Sequence, residues 1–221
     1  LAAFDPQELP IDSIAGEARL APERLQPDWL RARFAAPPSW MPEINQEQLL
    51  RQTDSALRPA AVLIPIVLHE SGPTLLLTKR NTDLRDHPGQ ISFPGGRMEL
   101  HDLSPVDTAL RETEEEIGLA RHHVEVIGSL PQYLTGTGYR VTPVAGLVTP
   151  PFQVVPDPGE VAEIFEVPLN FLMDGQHHQR RTVELPGGVG QRTFYTMPYD
   201  RYFIWGATAG MLRNLFHFLR T

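Results

Sequence analysis

Glu112, Glu115 and Glu116 stand three and four residues apart, in a segment that also carries Arg111. At that spacing they share one side of a helix, so three carboxylates would crowd a single patch. Like charges at i, i+4 cost about 0.2–0.5 kcal/mol per pair. Carboxylates in the last turns also meet the negative end of the helix dipole, at about 0.3–1 kcal/mol each. The total, roughly 2 kcal/mol, is tolerable against a typical fold stability of about 5–15 kcal/mol. Arg111, one turn before Glu115, offsets part of it, and bound divalent cations would reverse its sign. Taken alone, the cluster reads as a solvated acidic helix face.

The elements that must position this cluster follow from local pattern. A helix over 105–116 is expected, with Ser104 as N-cap, Pro105 at the first helical position, Asp107 as the capping-box acid and Gly118 just past the end. Val106, Ala109, Leu110, Thr113 and Ile117 form its apolar stripe. Ahead of it, residues 60–69 and 75–80 read as strands around the Ser71-Gly72-Pro73 turn. Strands are expected over 124–130, 139–148, 164–167, 193–196 and 201–204, and a helical turn over 169–173. A final amphipathic helix over 207–219 carries Met211, Leu212, Leu215, Phe218 and Leu219, which suit a core or a contact between two copies in a homodimer. Residues 1–58, rich in Pro and polar residues, read as an N-terminal extension that packs on the core or on a partner subunit, with short helices over 28–34 and 46–52. Strands on both sides of a central helix, with another helix at the end, predict an α/β sandwich over residues 59–221.

Composition narrows the chemistry. With no cysteine, disulfides, thiolate zinc sites and cysteine nucleophiles are excluded, and a reducing, cytoplasmic setting is compatible. A net charge of −8 argues against nucleic-acid partners, and no apolar run has membrane-spanning length. The chain begins at Leu1 rather than Met, which leaves room for an upstream segment; no signal-peptide pattern is visible. Lys79, Arg80, Arg85 and Arg97 nevertheless gather ahead of the acidic cluster. They are either strand-end charges or a local positive field for a small polyanion. The adjacent pairs His122-His123 and His177-His178 make no metal face, because chain neighbours point different ways.

Residues 95–119 resemble the Nudix box. Its second half, Arg-Glu-apolar-x-Glu-Glu-x-Gly-apolar, is matched by Arg111, Glu112, Glu115, Glu116, Gly118 and Leu119, with Thr113 at the apolar position. The family's first acid is replaced by Asp102, with one extra residue before Arg111; Glu99 is the other candidate for that role. Upstream, Leu76-Leu77-Thr78-Lys79-Arg80, then Arg85, Gly89 and Phe93-Pro94-Gly95-Gly96, resemble the signature of the coenzyme A pyrophosphatases within that superfamily; Asn81 is the one mismatch.

The resemblance implies a Nudix α/β/α sandwich with a mixed sheet and the box as loop-helix-loop. It implies Mg²⁺ or Mn²⁺ on Glu112, Glu115 and Glu116, since carboxylate oxygens suit these hard cations. It implies that Gly95-Gly96 lets backbone approach metal or phosphate, that Arg111 orients the carboxylates, and that Arg80 and Arg85 meet phosphate, with Lys79 and Arg97 adding substrate contacts through the local positive field. The reaction would be attack of water on a pyrophosphate of coenzyme A, giving 3′,5′-ADP and 4′-phosphopantetheine. Glu160 and Glu163 are the candidates for a base outside the box, with capping or flanking a strand as the alternative for both. ADP-ribose or a dinucleotide as substrate, and a catalytically silent nucleotide-binding module, are the competing expectations.

Overall fold

The computed structural model describes residues 4–43, 57–84, 86–184 and 190–221. The elements in chain order are β1 (Ser13–Ile14), α1 (Pro27–Ala35), β2 (Arg58–His69), β3 (Gly72–Arg80), β4 (Ile91–Ser92), β5 (Gly95–Arg97) and α2 (Pro105–Ile117). They continue with β6 (Val124–Ser129), β7 (Tyr133–Leu134), β8 (Tyr139–Val148), β9 (Val161–Pro168), α3 (Leu169–Leu172), β10 (Gln179–Glu184), β11 (Gln191–Tyr199), β12 (Tyr202–Trp205) and α4 (Gly206–Arg220).

β2 organises the molecule. Its run of Val, Ile and Leu suits a strand covered on both faces. It pairs in parallel with β8 from Arg58↔Tyr139 to Val67↔Val148, and antiparallel with β3 and β5. β3 continues antiparallel to β4 and β9, and β8 to β6 and β7, so the sheet is mixed as expected. Strand alternation then sorts the two faces. Ala61 and Leu63 pack with Ala109 of α2, and Val67 packs with Ile117. Ala60, Ile64 and Ile66 face the other way, into the core that holds Leu212, Leu215 and Phe216 of α4.

The apolar stripe of α4 is thus buried in its own chain, which leaves it unavailable as a contact between two copies. Leu20, Leu25, Leu30 and Phe34 enter the same core, with the Phe34 and Phe218 rings 4.7 Å apart. The described part of the N-terminal extension therefore packs on its own chain. The helix expected over 28–34 is α1, one residue longer at each end; that expected over 46–52 lies outside the described residues.

A second, antiparallel sheet, ordered β1-β10-β11-β12, was only half anticipated. β10 reads Gln-Arg-Arg-Thr-Val-Glu, without strand alternation, and is a strand because it pairs residue for residue with β11 from Gln179↔Thr196 to Glu184↔Gln191. No helix among the described residues is long and apolar enough to cross a membrane.

Candidate active site

α2 begins and ends as its sequence requires. The Ser104 hydroxyl accepts the Asp107 amide at 3.1 Å, and Gly118 adopts φ +67° with its amide on Glu114 O. Asp107 departs from the reciprocal capping pattern: its carboxylate takes the Leu103 amide at 3.2 Å instead of that of Ser104. Two carbonyls of the last turn, on Glu116 and Ile117, accept the amides of Asp157 and Val155, each at 2.8 Å. These bonds satisfy groups every helix leaves open, and they tie the loop before β9 to the acidic end of α2. Asn81 secures the same loop from β3, donating its amide to Glu160 O at 2.8 Å and its side-chain NH₂ to Pro158 O at 2.7 Å.

The three glutamates differ sharply in burial. Glu116 turns inward and is 5 % exposed; its carboxylate accepts the Gly95 amide at 3.0 Å, with Arg80 Nη1 at 4.0 Å. Burial raises its pKa to about 8, opposed by the Gly95 hydrogen bond and the Arg80 charge and reinforced by Glu160 and Glu112. Glu112 also lies against the glycine turn: a Cβ on Gly96 would stand 2.5 Å from both of its carboxylate oxygens. Its pKa is raised, first by burial, with Arg111 pulling against that and Glu115 and Glu160 adding to it. Glu115 is 61 % exposed and bonds Arg111 at 2.9 Å. Gly95 has no room for a side chain either, since a Cβ would fall on the Ala61 and Val62 backbone, and its φ is +151°.

Arg111 is the frame of this ledge. Its guanidinium reaches Asp102 through Nε at 2.8 Å and Nη2 at 2.9 Å, Glu112 at 3.0 Å, Glu115 at 2.9 Å and Arg97 O at 3.2 Å. The hydrogen bond from Arg111 holds the Asp102 carboxyl well below its usual range despite burial. The Asp102 side chain is fully buried and also accepts from the Glu99 amide and the Thr108 hydroxyl. The residue at the family's first acidic position therefore anchors Arg111. Glu99 is 57 % exposed and lies 3.5 Å from His101.

The other expected residues divide. Glu163 is engaged by Arg201 and Tyr202, and its pKa is lowered, chiefly by the Tyr202 hydroxyl. Glu160 is exposed at the end of the loop held by Asn81, and its charge acts on both Glu112 and Glu116. Arg97 is exposed in β5 and offers its carbonyl to Arg111. Lys79 belongs to a separate cavity, and Arg85 lies outside the described residues. The roles of Asn81 and of Asp102 escaped sequence reasoning, although the clash of Asn81 with the family signature was a signal.

Among the described residues, no three Asp, Glu or His side chains stand together as a finished metal cage. The donor set still fits a hard dication, because Mg²⁺ is usually held by one or two carboxylates together with substrate phosphate. Glu112 and Glu116 are two such groups, deprived of full compensation by burial.

Comparison with known proteins identifies the family. The family model described as NUDIX domain matches residues 57–185. A Citrobacter koseri protein named Uncharacterized Nudix hydrolase NudL is 42 % identical over 175 residues, which is 79 % of this chain and 86 % of that one. Its Escherichia coli K12 namesake is 43 % identical over the same shares. A solved MutT/nudix family protein from Enterococcus faecalis aligns with a TM-score of 0.47 at 13 % identity, over 89 % of this chain and 75 % of that one. With its glutamate-bearing helix packed on a glycine turn in a mixed sheet, this chain belongs to the Nudix hydrolase family.

Proposed function

We propose that this Nudix hydrolase is a metal-dependent pyrophosphohydrolase that cleaves coenzyme A, or its derivatives, to 3′,5′-ADP and 4′-phosphopantetheine. The observation that carries the reading is the pair of buried Glu116 and half-buried Glu112 against Gly95-Gly96, with Arg80 beside Glu116. The substrate is supported by the upstream signature, whose Arg80 and Gly95-Gly96 all lie at this ledge.

Nudix hydrolases generally use divalent ions; Mg²⁺ or Mn²⁺ on Glu112 and Glu116, with Glu115 at the rim, would polarise the phosphoryl oxygens and acidify water. The chain's own residues do the rest. Gly95 and Gly96 let the β5 backbone lie directly against β2 and against the Glu112 carboxylate, which holds that carboxylate at the turn. Arg80 presents a guanidinium to phosphoryl oxygens. Arg111, fixed by buried Asp102, keeps Glu112 and Glu115 from swinging away. Glu160 takes the proton of the attacking water; Glu163, with its lone pairs engaged and its pKa lowered, is the poorer base. The test is a substrate panel with Mg²⁺ or Mn²⁺. Coenzyme A is expected to exceed ADP-ribose and NADH in kcat/KM, and a preference for ADP-ribose overturns the substrate.

A further inference from the structure

Lys79, at the unspecified position of the upstream signature, does not face the carboxylates of α2. Along β3, Leu76 packs with Ile117 of α2, whereas Leu75 and Leu77 enter the opposite core. The alternation directs Arg80 to the ledge and Lys79 to the other face. There a cavity of about 620 Å³, within the size range of ligand pockets, opens between the Pro88–Gln90 turn and β12. Lys79 and Arg201 bring positive charge to it, and Tyr202, Trp205 and Phe4 line it with aromatic surface.

One wall is residues 4–7 of the N-terminal segment, and this wall is built in. Buried Arg181, its guanidinium 5.2 Å from the Phe203 ring, donates to the carbonyls of Gln7 at 2.9 Å, of Pro6 at 3.4 Å and of Leu9. Phe4 meets Trp205 edge to face at 6.1 Å. The one acid in the lining, Asp5, spends an oxygen on the Gln7 amide at 2.8 Å. Arg201 is bonded to Glu163, which also stands opposite Lys79 across the β3–β9 pair, so two cations face one acid and a net positive charge remains.

Aromatic walls with two cations match a flat ring that carries an anionic group. An aliphatic chain has no use for the cations, and a bare phosphate has no use for the rings. We infer that this cavity binds the phosphorylated adenosine end of the substrate, its phosphate at Lys79 and Arg201 and its base on the aromatic surface. The inference rests on the coenzyme A reading, and it gives the N-terminal segment a part in substrate recognition.

Titration calorimetry of the full chain with 3′,5′-ADP and, separately, with 4′-phosphopantetheine tests it. Lys79→Met and Phe4→Ala are each expected to weaken 3′,5′-ADP about tenfold or more and to leave 4′-phosphopantetheine unchanged. In turnover, KM for coenzyme A should rise while kcat stays within about twofold. Lys79 is only half-buried, so an unchanged melting temperature in Lys79→Met separates lost binding from lost fold. Variants that bind 3′,5′-ADP like wild type, or that lose 4′-phosphopantetheine instead, overturn the inference. Should wild type leave coenzyme A intact while the variants still lose 3′,5′-ADP, the cavity assignment stands and the substrate reading falls.

Discussion

Two arginines, Arg213 and Arg111, each gather several acids and leave different balances of charge. Arg213 of α4, 5 % exposed, gathers Glu17 at 2.5 Å, Glu43 at 3.1 Å and His178 at 3.2 Å, and Tyr195 donates to Glu43 at 2.8 Å. The Arg213 hydrogen bond brings the Glu17 pKa down to about 2. Burial pushes Glu43 up, but His217, Tyr195 and Arg213 together hold it at about 2. Burial keeps His178 neutral, with a pKa of about 4. Arg111 instead spends its strongest bonds on Asp102, and Glu116 has only Arg80 at 4.0 Å against its burial, which carries its pKa to about 8. One cluster closes its charges to join the N-terminal segment to α4. The other leaves Glu116 short of compensation, so burial favours its proton, and a cation bound in place of that proton would stabilise the charged carboxylate.

Substitutions can break this contrast. The largest effect is expected from Glu116→Gln and Glu112→Gln, each lowering kcat by about a hundredfold or more while the protein remains folded. Turnover near wild type in either would move the site elsewhere. Glu115→Gln should cost less, because its carboxylate is exposed and already paired with Arg111.

In the closed cluster the order reverses. Arg213→Met is expected to cost about 3–5 kcal/mol in urea unfolding by stranding Glu17 and Glu43, with little change in kcat of the folded fraction. A loss below about 1 kcal/mol, typical of exposed pairs, would make the cluster ornamental.

The pH dependence of stability sharpens the contrast further. Glu116 is raised from an ordinary value of 4.5 to about 8, so folding favours its protonated form. Its contribution to metal-free stability is therefore lost as pH rises through that window, by on the order of a few kcal/mol. Glu17 and Glu43 are lowered to about 2, so their contribution is present above 4.5 and is lost as pH falls toward 2. Urea midpoints measured with a chelator between about pH 5 and 8 should slope downward in wild type and flatten in Glu116→Gln. Equal slopes would remove the raised Glu116 from the account.

The smallest effects belong to the scaffold. Ser104→Ala should cost about 1 kcal/mol through the lost cap. Asn81→Ser should reduce kcat only a few-fold by loosening the Glu160 loop, with its melting temperature nearly kept.

Local chemistry was readable before folding. The cap at Ser104, the stop at Gly118, the Ala109-Thr113-Ile117 stripe and the Arg111–Glu115 pair each depend on neighbours within four residues, and all are present. So is β8, which spans 139–148 as its pattern indicates. By contrast, β10 has no pattern of its own and exists through pairing with β11.

The same divide runs through the site. Residue type and spacing alone placed glutamates at the end of α2 and glycines ahead of it. Which glutamate is buried, that Asp102 serves Arg111, that Glu163 is occupied and that the Glu160 charge acts on Glu112 and Glu116 were decided only when β5, β9 and α2 came together. Helical spacing fixes the direction of a side chain relative to its own backbone. Burial, and with it the energy of a charge, depends on what distant strands bring over it.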